Sequence, residues 1–358
     1  MQLLVTTAKG TQDIIKMVPS LRWSGDYQQI ARTLDYGILS SASDSSIPAV
    51  DCPLGAIVQF VVGGEVLFYG TVLSRSKATN GTSIDITCFD RGFYLKRNKV
   101  LKAYVQKKPR EIALELATLF GIEVGTIVNP NISITRNFVT GQSSIDDIMR
   151  TAYTLASRST GKQYHIGFRG HRLFITEKGP DVRTLIIKGG SNLISAATTE
   201  SITNMVNTVK IYDQTNKLVR EVANQEYIKL YGRMQEIVKQ TKEDNKISEA
   251  QKLLDGGGPE QKITVDCLGN VANVTGGSVV VQEPYTGIFG LFYIDSDIHE
   301  WKRGQYYNKL VLNFKSIMSE KEAGSLPNAT GNKTGGNGTA SGKIEFEHGF
   351  GWNTAQTG

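Results

Sequence analysis

One short segment gathers side chains that could do chemistry. Residues 293–301, YIDSDIHEW, place two aspartates, a histidine and a glutamate within nine positions. Carboxylates and imidazoles are common metal ligands, and they also serve as general acids and bases. The segment therefore indicates either a reactive or metal-binding site, or a polar strand that meets a neighbouring structure.

Strand geometry bears on this choice. In a strand, Asp295, Asp297 and His299 would share one face at a spacing of about 7 Å. Three such ligands need a further donor to enclose a metal, and none of the other three histidines lies close to His299 in sequence. Two carboxylates on one short strand also point the same way, so they would not flank a substrate as a glycosidase pair does. We expect no catalytic residue and no metal here, and these three residues are only weak metal candidates.

A structural role is the alternative that the pattern favours. We predict that Asp295, Asp297 and His299 form a polar strand face that meets a neighbouring structure. The opposite face and the following strand are predicted to supply an apolar core, formed by Ile294, Ile298, Leu310, Leu312 and Phe314. The chain carries no GxSxG, Walker A or HExxH motif. We expect neither enzymatic activity nor a cofactor.

Composition sets the broad class. With 358 residues, 40% hydrophobic and 21% charged, the chain is expected to form a soluble protein of two or three domains. Its three cysteines are widely spaced, which argues against a disulfide framework and a zinc site. Apolar runs are far shorter than the ~20 residues of a membrane helix, and the first residues do not resemble a secretory signal. We therefore expect no membrane partner, and assembly in the cytoplasm.

The net charge of +6 is concentrated in one region. Such a cluster could track phosphates, or it could be a solvated face or a contact with an acidic partner. The basic residues are Lys96, Arg97, Lys99, Lys102, Lys107, Lys108 and Arg110.

Residues 1–108 are predicted to be mainly strands. AIVQFVVGGEVLFYGTVL (56–73) contains two β-prone runs separated by Gly63-Gly64, which is a hairpin signal. A second turn signal, Asn80-Gly81, leads into SIDITCF, where apolar and polar residues alternate.

Residues 109–180 are predicted to form a small α/β domain. Pro109 suits the first turn of a helix over PREIALELATLFGI, and Ser144 is a plausible cap for a second helix over SSIDDIMRTAYTLASRSTG. The runs YHIGF and RLFIT then predict a hairpin around Gly170.

Strands return over residues 181–320, with a helical insertion predicted at 225–256. Residues 321–358 are predicted to be a flexible tail rich in Gly, Asn and Thr. Its segment 343–352, KIEFEHGFGW, is apolar enough to dock on another protein, through Ile344, Phe346, Phe350 and Trp352.

Two parts of the chain repeat one pattern. Residues 54–89 and 275–314 each contain a Val-rich strand, an aromatic-then-glycine step, a second strand, a glycine turn and a final alternating strand. This internal similarity predicts two β domains of one design on either side of the α/β domain.

Four segments in order carry a resemblance to a known family. They are PREIALELATLFGIEVGTI, SSIDDIMRTAYTLASRSTGKQYHI, the helix that ends in AQKLL, and GLFYIDSDIHEWKRGQYYNKLVLNF. Over about residues 20–315 the chain resembles the XkdQ/YqbQ-like tail proteins of contractile phages and phage-derived particles, which are similar to late control D hub proteins.

The resemblance implies an α+β, mainly β fold. It would contain two tail-tube-like β-barrels separated by the α/β domain, the second barrel interrupted by the helical insertion. It also implies a baseplate hub in a virion or phage-tail-like particle: a homotrimer whose six barrels form a ring. This ring would join the tail tube, or a tube-initiator protein, to the central spike and contact other baseplate proteins, with nucleic acid only passing through its lumen. In such a ring, Asp295, Asp297 and His299 would line the lumen or contact an adjacent subunit, and the apolar residues of the same strands would form the barrel core. The tail segment would dock on a neighbouring baseplate or spike protein. The alternatives are a carbohydrate- or nucleic-acid-binding module, or a cell-wall hydrolase component of the tail.

Overall fold

A computed structural model describes residues 1–40, 47–78, 82–134, 138–139, 143–179, 185–241 and 246–321. The predicted Asn80-Gly81 turn and the proposed docking residues Ile344, Phe346, Phe350 and Trp352 lie outside these ranges. Within them, no helix combines the length and apolar character needed to cross a bilayer.

The described part of the first ninety residues forms seven antiparallel strands. Their spatial order is β3-β4-β7-β6-β5-β1-β2, and Gly63 and Gly64 have the positive φ of the predicted hairpin turn. A short 3₁₀ turn spans Ile15–Met17. The strands are β1 (Gln2–Thr7), β2 (Gly10–Asp13), β3 (Ser20–Asp26), β4 (Thr33–Leu39), β5 (Ile57–Val62), β6 (Glu65–Lys77) and β7 (Ser83–Asp90).

A compact α/β unit follows. Its main helices begin where the sequence predicts, because Pro109 opens one and the Ser144 hydroxyl accepts the Asp147 N–H at 3.1 Å in the other. Gly161, in the left-handed conformation, ends the second helix. The elements are α1 (Gly92–Arg97), β8 (Lys99–Val100), β9 (Ala103–Tyr104), α2 (Pro109–Leu119), β10 (Val124–Ile127), β11 (Phe138–Val139), β12 (Ser143–Ser144), α3 (Ile145–Thr160), β13 (Gln163–Arg169) and β14 (Arg172–Lys178).

The remaining elements form a second set of strands with an insertion. The spatial order is β16-β20-β23-β22-β21-β15, and the insertion has its own sheet, β18-β17-β19. The elements are β15 (Ile186–Lys188), β16 (Leu193–Ser201), β17 (Thr208–Tyr212), β18 (Leu218–Ala223), α4 (Gln225–Tyr231), β19 (Gln235–Lys239), α5 (Ile247–Gly256), β20 (Glu260–Leu268), β21 (Ser278–Glu283), β22 (Ile288–Lys302) and β23 (Gln305–Asn313).

The insertion is not helical throughout. Gly232, at φ 83°, ends α4, and the β-prone run that follows pairs in parallel with β17 as β19. Val238 is thereby buried beside Val209 and Ile211, with Ala250 of α5 in the same cluster. The prediction of helix was therefore wrong over Gln235–Lys239, because pairing with β17 buries a β-branched residue there.

The two sets of strands repeat one topology. The hairpin sequence β5-β6-β7 recurs as β21-β22-β23, β4 corresponds to β20, and β3 corresponds to β16. Both long strands carry a bulge at the same place, between Val72 and Ser74 in β6 and between Ile294 and Ser296 in β22. The repeat departs at one edge, where β1 is antiparallel to β5 but β15 is parallel to β21. The predicted repeat of strand order is therefore confirmed, but the aromatic-then-glycine steps do not coincide, because Gly70 corresponds to Phe292 and not to Gly290.

Among the strands that the structure describes, one pair joins the two sets. Residues Ser296–Lys302 of β22 pair antiparallel with Ser20–Asp26 of β3, which produces one thirteen-stranded sheet. The fold is thus mainly β, as expected. No pairing among the described strands closes either set into a barrel, so the two barrels and the domain boundaries stay predictions.

Candidate functional site

The bulge at Asp295 decides which side chains of β22 face the interior. Ile294 and Asp295 are both buried, and the extra residue shifts the alternation by one position. Asp297 and His299 are consequently buried completely, whereas Ile298 is only half-buried. The predicted lumen-facing or subunit-facing role of Asp295, Asp297 and His299 is therefore corrected, because these side chains face the interior of the chain itself.

The other predicted core residues divide in two. Ile294, Leu310 and Leu312 lie in the core of the second set of strands. Phe314 is 52% exposed, because it follows the end of β23, and its ring lies 5.0 Å from that of Phe292. Phe314 is thus not a core residue.

Asp297 forms an ion pair across the junction between β22 and β3. Arg32, which immediately precedes β4, donates from Nη1 to Asp297 Oδ1 at 3.0 Å and from Nη2 to the second carboxylate oxygen. The guanidinium also lies over the indole ring of Trp23, 3.9 Å from its centroid. Both side chains are almost excluded from solvent, with 12% of Arg32 and none of Asp297 exposed. Arg32 thereby contacts both sets of strands.

The second set of strands completes the carboxylate's hydrogen bonds. The backbone N–H and the hydroxyl of Thr275 both donate to Asp297 Oδ1 at 2.6 Å. Burial by itself would raise the pKa of Asp297, but the charge of Arg32 and hydrogen bonds from His299 and Arg32 outweigh it. The pKa of Asp297 is therefore held well below its usual range, and the carboxylate stays ionised.

Both ring nitrogens of His299 have hydrogen-bond partners. Its Nε2 faces the carbonyl of Asn273 and Oδ2 of Asp297, each at 3.1 Å. Its Nδ1 faces the amide of Asn308 at 2.9 Å and the Tyr306 hydroxyl at 2.7 Å. Asn308 Oδ1 accepts the Asn270 N–H, so its amide nitrogen must face the imidazole. Both neighbours of Nε2 are acceptors and the Asn308 amide is a donor, so the ring donates from Nε2 and accepts at Nδ1.

Aromatic rings enclose this cluster. Trp301 stacks on Tyr306 with centroids 4.2 Å apart and planes within 8°. Trp23 of the first set lies 4.7 Å from the His299 ring, and Phe60 lies 4.9 Å from Trp301. Rings from both sets therefore exclude water from the ion pair, which strengthens its electrostatic attraction.

A second buried ion pair attaches the α/β unit. Lys178, at the end of β14, is 1% exposed at its side chain, and its Nζ lies 3.7 Å from Asp295 Oδ1. The ammonium also donates to the carbonyl of Ile317 at 2.7 Å, while Asn313 donates to Asp295 Oδ2 at 3.0 Å. The bulge residue thus links β22 to the α/β unit.

Residues 314–321, here named the C-terminal strap, continue this attachment. Met318 is buried in the α/β core. Lys321 Nζ lies 3.0 Å from Asp147 Oδ1, and Arg158 Nη2 lies 3.2 Å from Glu320 Oε2. The strap therefore runs from β23 onto helix α3.

A cleft of about 280 Å³ lies where the three parts meet. It is bounded by Trp23 and Arg32, by the β13–β14 hairpin and by residues 271–275. His165 lies in its wall, and its pKa is lowered to about 3, first by desolvation and then by the positive charges of Lys178 and Arg150. The imidazole is therefore neutral at ordinary pH.

The arrangement is suited to holding structures together. A reacting group must touch its substrate, and neither Asp297 nor His299 is accessible. Within the described ranges, no three His, Cys, Asp or Glu side chains are grouped to hold a metal ion. Sequence reasoning missed Arg32 and Thr275, since both lie far from Asp297 along the chain and belong to no motif.

The basic run predicted to be a charged cluster does not form one element. It extends over α1, the short strands β8 and β9 and the start of α2. Lys102 contacts Glu115, so part of its charge is neutralised locally.

Comparison with known sequences identifies the relatives of this chain. The sequence model described as YqbQ-like matches residues 21–313. The YqbQ protein of Bacillus subtilis (strain 168) is 24% identical over 307 residues, which cover 82% of this chain and 91% of that protein.

Solved structures show where the fold recurs. The 43 kDa tail protein of prophage MuSo2 from Shewanella oneidensis has a TM-score of 0.65 at 11% identity, over 87% of this chain and 98% of that one. The E. coli c3393 protein has a TM-score of 0.51 at 10% identity, over 86% of this chain and 76% of that one. It is described as a type VI secretion component that is structurally similar to the T4 tail proteins gp27 and gp5.

Proposed function

Because this chain belongs to the YqbQ-like family, whose sequence model matches residues 21–313, we propose that it is a structural protein of a phage tail and forms the hub of a baseplate. The recurrence of its fold in a prophage tail protein supports a tail role. One structural observation supports the hub in particular: two sets of strands with the same topology are joined into one sheet. A chain with two equivalent halves can bridge rings of different symmetry, since three copies present six similar units.

The proposed assembly is a homotrimeric ring. Each half takes one of six positions, so the ring matches a hexameric tail tube, or a tube-initiator protein, on one side and a trimeric central spike on the other. In this proposal each half is a tube-like barrel, at residues 1–108 and 181–320, with the α/β domain at 109–180 between them. The particle is a virion or a phage-tail-like particle, and the buried ion pairs keep the hub rigid under load.

Light scattering of the purified protein tests the trimer. The expected mass is three times the 39.2 kDa of one chain, and negative-stain images should show rings. Monomers at every concentration, with or without tail tube and spike proteins, would count against the hub. We also propose that the protein is not an enzyme, and release of dye-labelled peptidoglycan fragments by the purified protein would contradict this.

The tail supplies a second contact in this proposal. Ile344, Phe346, Phe350 and Trp352 dock on a neighbouring baseplate or spike protein. A chain that ends at Glu322 should still form a trimer but lose co-purification with that neighbour. Full recruitment by the shortened chain would remove this part of the proposal.

A further inference from the structure

Strand β16 occupies in the second half the place that β3 occupies in the first. Each is the outermost strand of its own set. β3 pairs with β4, and β16 pairs with β20, which is the counterpart of β4. On its other side β3 pairs with β22. Across the described part of the chain, β16 has no partner on its other side. An unpaired strand edge is a template for pairing with another chain.

The matching unpaired edge lies on β6. After its bulge, β22 runs between β23 and β3. The equivalent end of β6, residues 74–77, pairs with β7 on one side, and no other described strand pairs with it. All four of its residues are exposed. The first half therefore lacks at this place the neighbour that β3 provides for the second half.

From these two edges we infer that β16 of one copy pairs antiparallel with residues 74–77 of β6 in the next copy. The pairing repeats between chains the β3–β22 junction found within each chain. It rests on the proposed hub, for which it names the subunit interface. Such a junction is head-to-tail and closes into a ring when the rotation per copy permits. Alternation of internal and intermolecular junctions would make all six halves equivalent.

The register of this interface follows from the repeat. Counted from the two bulges, Arg75 takes the place of Asp297, which pairs with Gly25 of β3. Trp23 corresponds to Thr198, because each faces the equivalent residue of the adjacent strand. Two residues further on, Gly25 corresponds to Glu200. The inferred interface therefore places Arg75 opposite Glu200.

The charges suit this register. Arg75 and Glu200 are both exposed, and opposite charges that face each other across an antiparallel pair are stabilising. Pairing of two β6 edges would instead bring Arg75 and Lys77 near their own copies, and like charges disfavour it. The charges therefore favour β16, and not a second copy of β6, as the partner of residues 74–77.

Disulfide trapping tests the register. Directly opposed residues have Cβ atoms about 4.5–5.5 Å apart, close to disulfide geometry. The double variant Arg75→Cys/Glu200→Cys should give covalent dimers and trimers on non-reducing gels. The native cysteines Cys52, Cys88 and Cys267 are buried. The matched control is Arg75→Cys/Ala197→Cys, which lies three residues, about 10 Å, out of register and should remain uncrosslinked.

Charge reversal gives an independent readout. Arg75→Glu or Glu200→Arg alone should raise the concentration for half-assembly several-fold, because like charges then face each other, and the double reversal should restore it. A trimer by light scattering without specific crosslinking would overturn this interface and leave the hub intact. Crosslinking to a different protein in place of a second copy would also overturn it. Complete absence of oligomers would overturn both the interface and the ring.

Discussion

Arg32 and Asp297 lie 265 residues apart in the sequence, yet they form a two-pronged ion pair at the junction of the two sets of strands. Asp297 is buried completely, and Trp23 covers the guanidinium of Arg32. The pair therefore connects parts of the chain that are not neighbours in sequence.

Removing the arginine should destabilise the whole fold. In Arg32→Met the buried carboxylate of Asp297 keeps its charge without a counter-ion, which costs about 3–5 kcal/mol. Urea unfolding should show the loss, and Arg32→Met/Asp297→Asn should recover much of it. The control is Lys9→Ala, which breaks the exposed Lys9–Asp51 pair and should cost less than about 1 kcal/mol. Similar losses in Arg32→Met and the control would contradict the structural importance of the junction.

The aromatic stack leaves no room beside Gly269. A Cβ there would lie 2.2 Å from the ring of Tyr306, and that ring is held against Trp301. Gly269→Ala should therefore cost about 1–3 kcal/mol, as overpacking does, and shift the tryptophan fluorescence. Gly189 has open space around its Cβ position, so Gly189→Ala is the matched control and should leave the fluorescence unchanged. If Gly269→Ala changed neither the free energy of unfolding nor the tryptophan fluorescence, the stack would be loosely packed.

Acid should weaken the protein through His165. Its pKa is lowered to about 3 in the fold, against 6.5 for an unperturbed group. Between pH 6.5 and about 3, His165 is protonated in the unfolded chain but not in the fold. The free energy of unfolding therefore falls as pH falls through this interval. Asp90 acts in the opposite direction, since burial raises its pKa to about 7. Comparison with His165→Gln separates the two effects.

Unfolding free energies at pH 6.5 and 4.5 measure this difference. The native protein should lose on the order of 1 to 2 kcal/mol more than His165→Gln over that interval. Equal losses in both proteins would show that His165 is solvated in the fold.

The C-terminal strap should hold helix α3 in place. A chain that ends at Asn313 loses buried Met318 and the carbonyl of Ile317 that accepts from Lys178. Its stability should fall by about 2–5 kcal/mol, as for deletion of a buried methionine, and amide exchange in α3 and β14 should accelerate. A chain that ends at Lys321 retains these contacts and is the control. Matching exchange in the two chains would contradict a role for the strap.

Local signals in the sequence predicted much of the fold. Pro109, Ser144 and the Gly63-Gly64 pair mark helix starts and a turn through their own backbone and side-chain chemistry. The repeat was visible because equivalent strands keep equivalent turns and apolar positions.

The site was harder to predict because its determinants are not local. A single extra residue, Asp295, reverses the alternation after Ile294, and strict alternation therefore assigned Ile298 and His299 to the wrong faces. Arg32 lies in a loop before a strand, and only the tertiary fold brings it to Asp297. The strand at Gln235–Lys239 likewise depends on β17, with which it pairs.

The β3–β22 pairing has a consequence for synthesis. Asp26 of β3 pairs with Ser296 of β22, so β3 gains its second neighbour only after 270 more residues have been synthesised. During translation the amino-terminal strands therefore expose an open edge while most of the polypeptide emerges from the ribosome. Contacts between residues so far apart in sequence form slowly. Nascent chains are consequently vulnerable to premature association until their last strands arrive.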